Sequence, residues 1–131
     1  YWSQAVVPAM EDSGFGRIIN IASFAWKAGG LTAGTAYTVS KGGMVSLTFS
    51  TALEFAGTGI TVNGIAPCYV MTPMMTEQFT QAQRDATLAL LPVKRFCTPE
   101  EVAHAVRFLT SPLSGFITGE IIDMNGGLQF D

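Results

Sequence analysis

The chain has 131 residues, with 7 Lys plus Arg against 10 Asp plus Glu and a formal net charge of −3. That length allows one domain at most, and an acidic balance with 13% charged residues excludes the basic stripe that a nucleic-acid binder needs to neutralise phosphates. Hydrophobic residues make up 48%, which argues against disorder and is generous for a small monomer, so some apolar surface is expected to meet other protein.

In chain order, Trp2 to Met10 reads as the end of a helix, with Pro8 tolerated near a kink or terminus. Asp12-Ser13-Gly14 and Gly16 break it. Arg17-Ile18-Ile19-Asn20-Ile21-Ala22-Ser23 is short and β-branched, and it predicts a buried strand closed by Ser23. A Gly- and Ala-rich loop is expected from Phe24 to Thr35. From Ala36 to Phe55 the pattern is helical: Ser46, Ser50 and Glu54 form a narrow polar stripe. Met44, Val45, Leu47, Phe49, Leu53 and Phe55 fill most of the rest. A stripe that narrow predicts burial on two sides, one against a sheet and the other against a partner subunit.

Gly57 and Gly59 end that helix. Ile60-Thr61-Val62-Asn63-Gly64-Ile65-Ala66 predicts a second strand stopped by Pro67, and Thr76 to Leu91, bracketed by Pro73 and Pro92, predicts one helix. Thr98-Pro99-Glu100-Glu101 is a helix start, with Thr98 as N-cap, Pro99 at the first helical position and Glu101 closing a capping box. That helix runs to Thr110 before Ser111-Pro112. Glu120 to Met124 predicts a third strand and Asn125-Gly126-Gly127 a turn. Strands alternating with helices at these spacings predict an α/β fold of parallel βαβ units, a sheet covered on both faces.

No apolar run approaches the roughly 18 residues of a membrane span, and no membrane partner is expected. YWSQAVVPAM has no basic leader. It lacks an initiator Met and starts inside an apolar pattern, and three strands make a small parallel sheet. The chain is therefore expected to be a single portion, residues 1–131, of something longer. Cys68 and Cys97 have neither CxxC spacing nor a His/Cys cluster, which fits reduced thiols in the cytoplasm better than a disulfide framework or a zinc site. No metal site is expected.

The stretch Tyr37-Thr38-Val39-Ser40-Lys41 carries chemistry. It sets a phenol and an ammonium four residues apart at a helix start, hence on one face. An ammonium there favours phenolate over phenol, so the tyrosine can give a proton to a carbonyl oxygen or take one from an alcohol. Ser23, at the carboxyl end of its strand, would point into the crevice where open α/β sheets bind ligands and could hold the same oxygen. A YxxxK string alone is more often a solvated helix face; its place after a Ser-ended strand in a βαβ chain changes that.

Taken together, these segments resemble the C-terminal half of a short-chain dehydrogenase/reductase. Residues 17–23 resemble the strand bearing that family's catalytic Ser, and Tyr37-x-x-x-Lys41 its Tyr/Lys pair. Ile60 to Asn63 followed by Ala66-Pro67 resembles the strand entering its Pro-Gly cofactor loop. Pro99 to Ala103 and Thr118 through Gly127 resemble its closing elements. The Asn-Gly-Gly-Leu ending and Pro92-Val93-x-Arg95 are most like bacterial acetoacetyl-CoA and 3-oxoacyl-carrier-protein reductases. The resemblance implies a partial Rossmann-like doubly wound sheet, the family's last three strands. It implies Tyr37 as general acid/base, Lys41 lowering its proton affinity and holding the nicotinamide ribose, and Ser23 polarising the carbonyl. It further implies Pro67, Cys68, Val70 and Thr72 against the nicotinamide of NAD or NADP, NADP being favoured by the sub-family likeness. The implied reaction is reduction of a carbonyl, a 3-oxoacyl thioester as first guess, in a dimer or tetramer. A truncated, inactive fragment with an interaction role, or an enzyme for a sugar, polyol or steroid, stay open.

Three departures stand out. No GxGxxG opens any helix, Gly29-Gly30 follows the wrong strand, and the family's N-terminal phosphate-binding half and catalytic Asn are expected before Tyr1. Cys68 stands where the resemblance places Gly, so either a strained, positive φ at Cys68 or a cysteine fitted to the loop with φ below zero is expected. The Ser23 to Tyr37 spacing is one residue longer than the commonest. Of the rest, His104 is expected on a surface or partner-facing helix side. Met71, Met74 and Met75 are expected in an adaptable pocket or the core, and Phe24 and Trp26 in loop packing or over an acyl chain.

Overall fold

In the computed structural model, which describes residues 2–30 and 33–130, a three-stranded parallel sheet in the order β1-β2-β3 organises the chain. The strands are β1, Gly16–Ile21, β2, Ile60–Pro67, and β3, Ile121–Met124. Gly16 pairs with Ile60 through Ile21 with Ile65, and Gly64 with Ile121 through Pro67 with Met124. The helices are α1, Trp2–Ser13, α2, Ala25–Ala28, α3, Gly34–Glu54, α4, Pro73–Gln78, α5, Gln81–Leu90, and α6, Pro99–Thr110. A short 3₁₀ turn spans Pro112–Ser114.

β2 is central, with a neighbour on each edge and helices on both faces, so Ile60 through Ala66 are all buried. Side chains of a strand alternate between faces. Ile60 and Val62 pack with Val7 of α1 and Ala52 of α3, and Ala66 packs with Val45 of α3. Ile65 points the other way, as does its partner Ile122, which lines a groove with Glu101, His104 and Ala105 of α6. This is the doubly wound arrangement expected from the sequence.

Two polar side chains are built into this core. Asn20 Nδ2 donates to Thr48 Oγ1 at 2.9 Å, which donates in turn to the Met44 carbonyl at 2.9 Å. Asn63, on the central strand, donates from Nδ2 to the Ile117 carbonyl and accepts at Oδ1 from the Glu120 N–H, both at 2.9 Å. It thereby clamps the approach to β3. Asn63→Ala should leave both backbone groups without their partner and cost about 1–3 kcal/mol; urea unfolding checks it, and a change within a few tenths would contradict the clamp.

Several expectations shift. The expected helix over 76–91 is two helices. Thr80 is extended and caps α5, accepting from the Gln83 N–H while the Gln83 side chain accepts from the Thr80 N–H, so a start signal inside the segment divides it. β1 ends at Ile21, so Ser23 lies two residues beyond it. The expected loop over 24–35 holds α2, while its residues 31 and 32 lie outside the described residues. The long helix begins at Gly34 rather than Ala36. Gly59, at φ 87°, passes so close to the Gly14 carbonyl that a Cβ would overlap it, which explains a glycine there independently of ending the helix. The capping box at Thr98 and Glu101 forms as read.

Candidate active site

Ser23 is placed by backbone bonds on either side of it. The Ala22 N–H donates to the Ile65 carbonyl at 2.8 Å and the Phe24 N–H to the Pro67 carbonyl at 3.0 Å, so residues 22–24 stay alongside β2 past the end of β1. The Ser23 Oγ accepts from the Ala25 N–H at 3.2 Å, in the first turn of α2. Tyr37 lies in the first turn of α3 with 40% of its surface exposed, enough for a ligand to reach the phenol. Lys41, one turn on, has its ammonium 5.7 Å from the Tyr37 ring centroid. Its Nζ donates to the Ile21 carbonyl at 2.8 Å. That bond ties the first turns of α3 to the carboxyl end of β1, two residues from Ser23. The three candidate residues thus belong to one end of the sheet, where open α/β sheets bind ligands.

The candidate cofactor loop leaves β2 at the same end. Pro67 ends the strand, and the Cys68 N–H donates to the Met124 carbonyl at 3.0 Å. Val70 pairs with Cys97 in an isolated parallel bridge. Thr72 precedes α4 in an extended conformation, and its hydroxyl makes no capping bond, which leaves it open to another partner. Cys68 is not in the left-handed region: the positive φ falls on Tyr69, at 48°. Burial, and then the Cys97 thiol, push the Cys68 thiol up to about 12. The strained, positive φ expected at Cys68 is therefore not found.

The other candidates separate. Met75 is buried while Met71 and Met74 are exposed. Phe24 is buried and Trp26 packs on the Ala22, Val45 and Ala66 cluster, so both serve loop packing. His104 is exposed on α6. One contact near the site had no sequence signal: Lys27 Nζ of α2 meets Asp123 Oδ2 of β3 at 2.7 Å, 96 positions away, holding the segment after Ser23 to the far strand. Among the described residues no group of three His, Cys, Asp or Glu could hold a metal ion, and no helix is long and apolar enough to cross a membrane.

Arg95 braces the start of α6. Its guanidinium meets both Glu101 oxygens, at 2.6 and 2.8 Å, and the Thr98 N–H donates to Glu101 Oε2 at 2.8 Å. These bonds, Arg95 first, hold the Glu101 carboxyl down at about 2 against an ordinary 4.5. A depressed carboxyl stabilises the fold above its unfolded value, and that contribution disappears as pH falls from about 4.5 toward about 2. Titrating Glu101 by NMR should show it; Arg95→Gln should return the carboxyl toward 4.5.

A family model described as enoyl-(acyl carrier protein) reductase matches residues 1–129. The chain is similar to 3-oxoacyl-(acyl-carrier-protein) reductase of Vibrio cholerae, 43% identical over 127 residues, covering 96% of this chain and 51% of that protein. It is similar to acetoacetyl-CoA reductase of Rhizobium meliloti, 42% identical over 121 residues, with 92% and 50% covered. A crystal structure of a 3-oxoacyl-(acyl-carrier protein) reductase from Brucella melitensis superposes with a TM-score of 0.92 at 31% identity, over 98% of this chain and 48% of that one. The chain spans about half the length of the relatives it matches.

Proposed function

Because the chain belongs to the short-chain dehydrogenase/reductase family of oxidoreductases, we propose that it carries the proton-transfer half of a nicotinamide-dependent carbonyl reductase. A 3-oxoacyl thioester is the substrate class that the names of its relatives favour. The observation that carries this reading is Lys41, bonded to the carboxyl end of β1 with Tyr37 one helical turn away.

Tyr37 gives its phenolic proton to the carbonyl oxygen of the substrate, and Ser23 donates a hydrogen bond to the same oxygen. The ammonium of Lys41 favours the phenolate that is left. The bound nicotinamide supplies the hydride. Pro67, Cys68, Val70 and Thr72 would flank its ring and Lys41 its ribose. The uncommitted Thr72 hydroxyl and the exposed Tyr37 fit that end of the cofactor. The pyrophosphate is a different matter: it needs a glycine-rich turn opening a helix, and none of the glycines here stands in that pattern. These residues therefore support the reacting end of the cofactor and lack a cradle for the other.

The test is reduction of acetoacetyl-CoA with NADH or NADPH. These residues alone should show no measurable turnover, and the same residues joined to the upstream half of a relative should turn over. Turnover by residues 1–131 alone would refute the division of labour; an inactive joined protein would refute the reading itself.

Self-association is part of the same proposal. One face of α3 buries Val45, Thr48 and Ala52 against the sheet, while Val39, Leu47, Phe49 and Leu53, the last 81% exposed, stand on its exposed face around Ser46, Ser50 and Glu54. We assign that face to a subunit contact. In the joined protein Leu53→Glu should shift the sedimentation coefficient toward the monomer; an unchanged oligomer would contradict it.

A further inference from the structure

We propose that Cys68 and Cys97 are a dithiol pair that a small-molecule disulfide converts into an internal disulfide, tying the loop after β2 to the segment that precedes α6. The backbone already joins these two segments. The Cys97 N–H donates to the carbonyl of Tyr69, the residue after Cys68, at 3.2 Å, and the Met71 N–H donates to the Cys97 carbonyl at 2.8 Å. Val70 is the residue that pairs with Cys97, so Cys68 lies two positions along the loop from it. The left-handed turn at Tyr69 breaks the extended run between Cys68 and Val70, so the alternation of a regular strand does not hold there.

Both cysteines line the same cavity of about 170 Å³, walled by Leu91, Val93, Met124 and the Arg95–Glu101 ion pair. Neither is in a disulfide and each is partly buried, and the Cys97 Sγ donates to the Thr98 carbonyl at 3.5 Å. Among the described residues no group of three His, Cys, Asp or Glu could hold a metal ion.

The exchange balances with an oxidant such as glutathione disulfide. The Cys97 thiol loses its proton to solvent and its sulfur attacks one sulfur of the oxidant; the S–S bond of the oxidant breaks and one thiol leaves. The Cys68 sulfur, deprotonated in turn, attacks Cys97 of the mixed disulfide, and the second thiol leaves. Two protein thiols are oxidised and one external disulfide is reduced. Burial raises both thiols, and the Glu101 carboxylate raises Cys97 as well, so the same steps run with either sulfur first and quicken as pH rises. The cross-link does not depend on the cofactor assignment, although it fastens the loop to which the nicotinamide is assigned.

The experiment incubates the chain with glutathione disulfide and reads thiols and mass. The expected result is loss of both titratable thiols, loss of two hydrogens from the intact mass, and a tryptic species joining peptides 42–84 and 96–107. Cys68→Ser and Cys97→Ser should each retain a single thiol that takes up glutathione without an internal link. The folded chain should form the link at least about tenfold more readily, at a fixed ratio of glutathione to its disulfide, than the chain in denaturant. Stable glutathione adducts on both cysteines, links between chains, or equal formation in denaturant would each overturn the proposal.

Discussion

Replacing Tyr37 by Phe, in the protein joined to an upstream half, should lower turnover by about 10²–10⁴-fold, the range for loss of a positioned general acid. The ring remains and only the hydroxyl is removed, so cofactor affinity should change little. Lys41→Met should reduce both turnover and cofactor binding. Its ammonium bonds the end of β1 and sits one turn from the phenol, and the proposal gives it the ribose as well. Measured as separate kcat and cofactor Kd values, the two variants therefore differ in pattern as well as size. Tyr37→Phe with most of its turnover intact would remove the phenol from the mechanism.

The second large effect concerns stability. Leu109, on α6, is 0% exposed, while its neighbour Phe108 is 50% exposed. α6 packs on β1 and β2, so Leu109→Ala should open a cavity in the core and cost about 2–5 kcal/mol. Phe108→Ala removes a larger side chain, yet a half-exposed ring loses less on truncation and should cost clearly less. Denaturant midpoints of the two variants decide it. A larger loss at Phe108 would mean that α6 turns its other side to the sheet.

The candidate site of Ser23, Tyr37 and Lys41 rests in part on local pattern. Four-residue spacing on a helix is local, so the common face of Tyr37 and Lys41 follows from the helix alone. A short β-branched run that closes on Ser23 is likewise local, although the strand itself stops at Ile21. What spacing does not contain is which backbone atom an ammonium reaches: the bond from Lys41 to Ile21 crosses 20 positions. The contact of Lys27 with Asp123 crosses 96 and joins the expected loop to the third strand, a pairing that neither segment signals by itself.

The sequence by itself determined the elements whose causes are nearest-neighbour: three β-branched strands, the capping box of Thr98 and Glu101, the long helix, and from them a parallel α/β fold. It overran at Thr80, where a second local signal divides the helix expected over 76–91, and at β1, which stops at Ile21 short of Ser23. Tertiary structure alone decided the rest. It placed the positive φ on Tyr69 rather than Cys68, because φ follows from how the loop meets Cys97 and Met124. It turned Asn63 from one polar residue in a strand pattern into the clamp of Ile117 and Glu120. It also brought Cys68 and Cys97, isolated thiols in the sequence, to the wall of one cavity. Each of these depends on a partner distant in the chain, and hydrogen-bond satisfaction and burial are set by that partner rather than by the residues on either side.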